Sequence, residues 1–424
     1  MSTSLAELCQ ALGFPPSIYH RLEPVWSELT VGYDSSVIPE YLTFEGFGKY
    51  YAGTGGPASL LAQASEVCKI LQSNEFLRLY AHLLHWGSFC TAPVIDYGLD
   101  RRVPLLDFAD FPAVEPVLGR LSGVFDLLLA VSALPLIEKK FSSCGIPVSY
   151  ARANGQWIGA SLRLDKDGYP LHNFAQLNWL RLSVEGRLFR LGRLEFLLHP
   201  YPQWVPAIYC SGDQLAVLCR DGWLLDSSGR RAAAGDADTY CTRLTYTADT
   251  VTGTPIRPDG VALPTESLTL DLRRWQALAP GWAMIPSVHI PTGGGMYPEL
   301  VKDSLQQAID FFRRYFQLEV PFFVCCSWIF NPAWEELLPE SNLAHFARNV
   351  YLLPGWPPTG KEGLMNVFGR NDPDYSSYPT TTSLQRAFHR LFASGRRLCS
   401  GGMFILSRDV ERFGTQPYRG GLKK

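Results

Sequence analysis

The residues best equipped for chemistry gather around one histidine and one glycine-rich turn. His289 closes an apolar run and is followed by Pro291-Thr292-Gly293-Gly294-Gly295-Met296. An imidazole titrates near neutrality and so suits a general base. Successive glycines cost backbone entropy and are favoured where the chain takes positive φ or lets a ligand come close. Where such a turn leads from a strand into a helix, main-chain N–H groups and the helix dipole form an anion site. Thr292, Gly293, Gly294, Gly295 and Met296 could therefore cradle phosphate oxygens, with a plain flexible turn as the alternative. The stretch is not a Walker A loop, which ends in Gly-Lys-Ser/Thr, and it does not spell GxGxxG.

Other groups compete for roles. Cys325 and Cys326 follow on the next apolar run, and with His289 they suggest a Cys-His nucleophilic pair. Adjacent strand residues point to opposite faces, so at most one thiol serves, and a buried structural thiol is the simpler reading. Ser287 shares the face of His289. Glu195, set among apolar residues, is either a base raised by burial or part of a solvent face shared with Arg187, Arg190 and Arg193. Ser327 and Trp328 could line a substrate pocket. Asn342 reads as a helix cap or a ligand contact, and Ser304 as a ligand contact or a back-bonded serine. His82 and His85 lie three apart with no supporting ligand, so an ordinary histidine pair is expected and no metal. No GxSxG elbow occurs.

The elements that must position these groups change character along the chain. Leu60, Leu61, Ala64, Val67, Cys68 and Leu71 share one helical face, Phe76 to Leu84 continue it, and a third helix is expected from Val114 to Lys140, kinked near Pro135. After Cys144 strands are expected at Val148–Ala151, Trp157–Leu164, Leu177–Val184, Leu188–Leu198, Val205–Cys210 and Leu215–Leu224. The stretch 227–266, rich in Gly, Asp, Thr and Pro, reads as an insertion with a hairpin at Tyr240–Thr247. Then come a strand (Trp282–Ile290), the glycine turn, a helix (Leu300–Phe316) and a strand (Pro321–Ile329), a crossover that makes the two strands parallel. The expected fold is α+β: a helical domain over 1–143, then a mixed, mostly antiparallel sheet with one βαβ crossover over 144–424.

The order of meander, strand, glycine turn, helix and strand resembles the GNAT superfamily of acyl-CoA-dependent N-acyltransferases. More specifically, it is similar to bacterial acyltransferase-domain proteins with a helical N-terminal domain and a GNAT-like C-terminal domain. The matching residues are His289-Ile290-Pro291-x-Gly293-Gly294, Ser304, Ala308, Phe311-Phe312, Cys326-x-Trp328, Pro332, Leu337-Leu338-Pro339, Ser341-Asn342 and Phe346. Agreement is good over 282–350 and weaker through Asn178-Trp179 and Leu191-Gly192-Arg193-Leu194. The superfamily turn begins with Gln or Arg; this one has Pro291 and Thr292 before its glycines.

The resemblance implies that the turn, from Ile290 to Met296 with Ser304, holds the pyrophosphate of an acyl-CoA, acetyl-CoA being the expected donor. The pantetheine arm would bring the thioester to His289, the first candidate base, with Glu195 the second. Cys326, Ser327, Trp328 and Asn342 would face a small-molecule amine that attacks directly. A non-catalytic GNAT-like binding protein and a Cys-His acyl-enzyme hydrolase or transferase are the alternatives.

Composition bounds these readings. The chain has 424 residues, 46% hydrophobic and 18% charged, enough apolar surface for two folded domains. Its 38 Lys+Arg and 40 Asp+Glu give a net charge of −2, which argues against nucleic acid as a partner. Residues 1–143 carry nine basic and fifteen acidic side chains, so the remainder is net positive, compatible with an anionic ligand. The start lacks a basic, apolar leader pattern, and Leu127–Ile137 is short for a bilayer span, so a cytoplasmic protein that does not enter membranes is expected. The ten scattered cysteines form no CxxC and should be free thiols.

Overall fold

The computed structural model describes residues 3–420 except 97, 98, 103, 234, 357, 358 and 373. The chain divides into two compact units. The first holds residues 1–191, 195–197 and 290–293, and the second holds 192–194, 198–289 and 294–424.

The first unit is built mainly of helices. Helix α1 (Glu75–His85) starts where Asn74 accepts a hydrogen bond from Leu77 N, which separates it from the preceding helix Leu60–Ser73. Helix α2 (Ser122–Val131) is buried on every side. It lies within the run Glu115–Ser143, which is long and apolar enough to cross a membrane but has 78% of its most apolar window buried, as for a core helix. The run breaks at Ser132-Ala133, so Pro135 falls in the first turn of the next helix, where its missing N–H costs nothing.

The helical part extends past Cys144. Helix α3 (Val148–Ser161) and helix α4 (Ala175–Val184) stand where strands were expected. The reason is visible in what they bury. Ala151, Asn154, Gly155 and Ile158 of α3 recur at helical spacing, as do Gln176, Leu180 and Ser183 of α4. Four of these seven positions are polar or glycine, so the apolar period is hidden. Asn154 accounts for the polarity: its Nδ2 donates to Ser183 Oγ at 2.9 Å and to Leu188 O at 2.6 Å, and its Oδ1 accepts from Arg190 N at 2.7 Å.

Six strands form the largest sheet: β1 (Leu188–Leu191), β2 (Leu194–Pro200), β3 (Met284–His289), β4 (Phe322–Ser327), β5 (Tyr351–Trp356) and β6 (Ser400–Leu406). Their spatial order is β5-β6-β4-β3-β2-β1. The expected single strand Leu188–Leu198 is in fact β1 and β2, separated at Gly192, whose φ of 65° an L-residue tolerates poorly.

In the second unit β3 and β4 are parallel, as the crossover required, and are joined by helix α5 (Pro298–Phe316). Strand β6 runs antiparallel to both β4 and β5. Ile285, Phe322, Val324, Leu353 and Phe404 pack in one apolar core with Val205, Ile208, Val217 and Trp223. Residues 240–247 are not a hairpin: Tyr240–Cys241 pairs with Leu224–Leu225, and Leu244–Tyr246 pairs with Thr250–Gly253. All ten cysteines are free.

Asn154→Ala should destabilise the first unit by about 3 kcal/mol, because it strands buried backbone groups as well as removing bonds. Urea denaturation read by far-UV circular dichroism measures this; a loss below about 1 kcal/mol would contradict the role given to Asn154.

Candidate active site

The second unit brings His289 to the carboxyl end of β3. Ser287 is in register with Val324 of β4, so two positions further on His289 stands beside Cys326, on the same sheet face. His289 is half-buried. Burial, then the neighbouring His199, push its imidazole down to about 4. It is therefore neutral through the physiological range, one ring nitrogen accepting and the other donating.

The thiol of Cys326 is also neutral. Burial of the sulfur, with the Glu362 carboxylate adding to it, pushes Cys326 up to about 12, although the residue retains exposed surface. Glu362 Oε1 accepts a hydrogen bond from Ser400 Oγ at 2.9 Å. A thiol and a neutral imidazole are the reverse of the thiolate–imidazolium pair of cysteine nucleophiles. Cys325, its neighbour, is fully enclosed and raised further by burial.

Beyond His289 the glycine turn takes the conformation its composition suggests. Gly293 and Gly294 have φ of 84° and 58°. A Cβ added at Gly293 would meet nothing within 4 Å, so the turn is open there. Ile290 is half-buried, Thr292 exposed and Met296 buried. In the first unit Thr292 Oγ1 donates to Ala160 O at 3.0 Å, so that hydroxyl serves the backbone. In the second unit Arg193 Nε donates to Gly295 O and Arg193 Nη2 to Gly294 O, each at 3.2 Å. Helix α5 begins without a side-chain cap on its first N–H groups.

Ser304 departs from the expectation of a ligand contact. It is fully buried, and its Oγ accepts from Arg193 N at 2.7 Å and Leu194 N at 3.3 Å. It pegs the Gly192–Leu194 turn to α5. Arg193 is the site residue that sequence reasoning missed. Its guanidinium stands at the turn whose leading Gln or Arg is absent.

Four further residues stand otherwise than expected. Trp328 is buried, with Trp334 and Phe388 at ring-centroid distances of 6.4 and 5.8 Å, so it serves the core and not an open surface. Ser327 supports the turn after β4 by accepting from Ile329 N at 3.4 Å. Asn342 is an exposed first residue of its helix, and the cap is Ser341, which accepts from Ala344 N. Glu195, in the first unit, is buried and not on a solvent face; Trp179 Nε1 donates to it at 3.3 Å and Arg190 Nη1 lies at 3.7 Å. His82 and His85 go to separate partners, Val31 O at 3.1 Å and Ser132 Oγ at 2.7 Å.

With this geometry in place, comparison with known proteins is informative. A family model described as the GNAT-like C-terminal domain matches residues 188–404, just over half of the chain. The chain belongs to this family. Among solved structures, it is similar to an acyltransferase mutant in complex with octanoyl-CoA, at 18% identity and a TM-score of 0.59, covering 95% of this chain and 99% of that one. An acyltransferase in complex with decanoyl-CoA and teicoplanin matches at 18% identity with a TM-score of 0.58 over the same shares. An acyltransferase in complex with CoA and 10C-teicoplanin matches at 18% with a TM-score of 0.59, again over 95% and 99%. At this identity the likeness establishes a shared fold over nearly the whole of both chains. A comparison with curated protein sequences finds no match.

The lowered pKa of His289 has a thermodynamic consequence. Between its folded value of about 4 and the ordinary 6.5, the unfolded chain binds the proton better. Stability from this group is complete above pH 6.5 and is lost as pH falls through 4. The melting temperature should drop on acidification across that window, and drop less in His289→Gln. Parallel curves for the two proteins in differential scanning calorimetry would contradict the neutral, buried imidazole.

Proposed function

We propose that this protein is an acyl-CoA-dependent acyltransferase that moves an acyl group from coenzyme A to an amine. The observation that carries the reading is the crossover from β3 through the open glycine turn into the uncapped start of α5, with His289 one strand position before that turn. The turn offers main-chain N–H groups and the helix dipole to the coenzyme pyrophosphate, and Arg193 adds positive charge beside it. The family match over 188–404 and the acyltransferases sharing the fold support the same class.

In this reading the amine nitrogen attacks the thioester carbonyl carbon directly, in a ternary complex. The C–N bond forms, the C–S bond breaks, and the coenzyme leaves as thiolate. The proton shed by the amine passes to the neutral imidazole of His289 and on to the departing sulfur or to water. A base whose pKa is about 4 stays ready in its deprotonated form at neutral pH but is weak, so it takes the proton late, after C–N bonding has acidified the nitrogen. The protonated state of Cys326 favours direct attack over an acyl-enzyme.

Acyl length and acceptor size belong to the same proposal. Acetyl-CoA is the donor suggested by the superfamily resemblance, whereas the fold neighbours were captured with octanoyl- and decanoyl-CoA, which supports a longer chain. One neighbour also holds teicoplanin, so the acceptor panel should extend from small amines to glycopeptides.

Release of coenzyme thiol is the test, measured across acetyl-, octanoyl- and decanoyl-CoA with that panel. Turnover with at least one donor is expected, and His289→Ala should lower kcat about 10- to 100-fold with little change in coenzyme affinity. Cys326→Ser should keep near-parental activity. A mass adduct on the parent that disappears in Cys326→Ser would replace direct attack by the covalent route. Coenzyme binding without thiol release from any pair would leave a binding protein.

Gly294→Val tests the turn itself. A β-branched residue at φ 58° is strained, and its Cβ would come within 3.3 Å of Arg193 Nε. The Kd for coenzyme A should rise at least about tenfold while the melting temperature changes little. Unchanged affinity would remove the turn from the coenzyme site.

A further inference from the structure

A second polar concavity in the second unit is not absorbed by the coenzyme reading. It is a cleft of about 410 Å³, a size suited to part of a small molecule. Asn331, Gly355, Cys399 and four arginines, Arg230, Arg231, Arg396 and Arg397, line it. Gly355 lies near the end of β5, Cys399 immediately precedes β6, and Asn331 follows β4. Since β6 is antiparallel to β4 and β5, and β3 is parallel to β4, these segments meet at the carboxyl ends of β3, β4 and β5. That is the end of the sheet at which His289 stands. Ligands of open α/β sheets bind at that end.

The donors in the cleft are not used up by the protein's own acids. Arg396 is held by both oxygens of Glu336, at 2.7 and 3.2 Å, and Arg397 by both oxygens of Asp236, at 3.2 Å each. Asp226 is spent in its own turn, where Oδ1 accepts from Ser228 N, Ser228 Oγ and Arg230 N. Arg231 lies over the Trp223 ring, 4.3 Å from its centroid. The Arg230 guanidinium makes no salt bridge with a carboxylate among the described residues; Glu336, already paired with Arg396, feels its charge only at longer range.

Asn331 is the second, independent observation. It is 5% exposed, and its Nδ2 has no hydrogen-bond partner among the described residues. The amide cannot be turned over to cure this, because Oδ1 already accepts from Ala333 N at 3.0 Å. A buried NH₂ group left without an acceptor is costly, and such groups ordinarily have one. Asn331 lines the cleft, so an oxygen acceptor bound there would supply the missing partner, and the surrounding guanidinium groups favour one that carries negative charge.

We propose that this cleft is the acceptor's anchoring subsite, in which Arg230 and Asn331 bind a carboxylate or phosphate group of the molecule to be acylated. The proposal rests on the acyltransferase reading for the word acceptor, but the anion site itself does not. Arg230 supplies charge and a flat pair of donors, and Asn331 supplies directed N–H groups from the wall. Neighbouring strands lie about 4.8 Å apart, so β5 is about 15 Å across the sheet from β3, a span an extended acceptor covers. One end is then held at the cleft while its amine reaches the thioester beside His289.

The experiment uses the full chain and two sets of probes: inorganic phosphate and malonate for the cleft, and coenzyme A for the donor site. Both small anions should raise the parent's melting temperature in a saturable way. Arg230→Gln should raise their apparent Kd at least tenfold and leave the coenzyme A Kd within twofold. Asn331→Asp keeps the bond to Ala333 N but turns the free donor into an anion, and should do the same without depending on Arg230→Gln folding well. A preference for phosphate over malonate, or the reverse, identifies the group. Absent saturation in the parent, or parental Kd values in both variants, would overturn the site. Loss of coenzyme A affinity in step with the small anions would assign the cleft to the donor's phosphates and overturn the acceptor role. Failure of the parent to bind coenzyme A would instead count against the acyltransferase reading, with the anion site still judged by its own two variants.

Discussion

One buried hydroxyl organises the second unit's site. Ser304 sits inside α5 with no access to solvent and accepts the backbone N–H groups of both Arg193 and Leu194. Two main-chain donors at the tip of a tight turn would otherwise be stranded in the interior, at a cost larger than the bonds themselves return. Because the backbone at Arg193 is pinned, its side chain is aimed, and the guanidinium reaches the carbonyls of Gly294 and Gly295. The glycine turn is thus braced from the side while its opposite surface stays open. The superfamily signature places a Gln or Arg at the start of the turn; here a guanidinium comes from a hundred residues earlier, aimed by a fully buried serine.

Electrostatics at the strand ends points in one direction. Burial disfavours charge on His289 and Cys326 alike, lowering one pKa and raising the other, so both are neutral around pH 7. His289 and Cys326 therefore do not form a thiolate–imidazolium pair. In the proposed reaction, charge would appear only on attack of the amine, next to a helix start and a turn that favour negative groups. The arginine-lined cleft at the same end of the sheet works on another principle: its cations are already formed and are partly neutralised by Asp236 and Glu336.

How much of this was legible in the sequence depends on how far apart the deciding contacts lie. The β3–turn–α5–β4 unit was readable because each part is local: an apolar run, consecutive glycines, a helical stripe from Val301 to Phe312, another apolar run. Helices α3 and α4 were misread because Asn154, Gly155, Gln176 and Ser183 occupy their buried faces, and a search for apolar period passes over them. The break at Gly192 was hidden by leucines on either side. Ser304, Arg193 and Trp328 could not be assigned because deciding partners lie roughly 60 to 110 residues away, on elements whose packing the sequence does not announce. Asn342 was displaced by one position, since Ser341 beside it is an equally good cap. The cleft at Arg230 and Asn331 draws on four separate segments, and no local motif marks it.

The high pKa of Cys326 bears on fidelity. In the proposed reaction the thioester lies beside Cys326, and a thiol there is chemically able to exchange with it, which would divert the acyl group onto the protein. With its pKa pushed up to about 12, Cys326 is almost entirely in the thiol form at pH 7. Exchange through that sulfur is slowed relative to an ordinary cysteine, and so is oxidation by peroxide. On that reading the protein keeps a sulfur beside His289 without letting it compete with the acceptor for the acyl group.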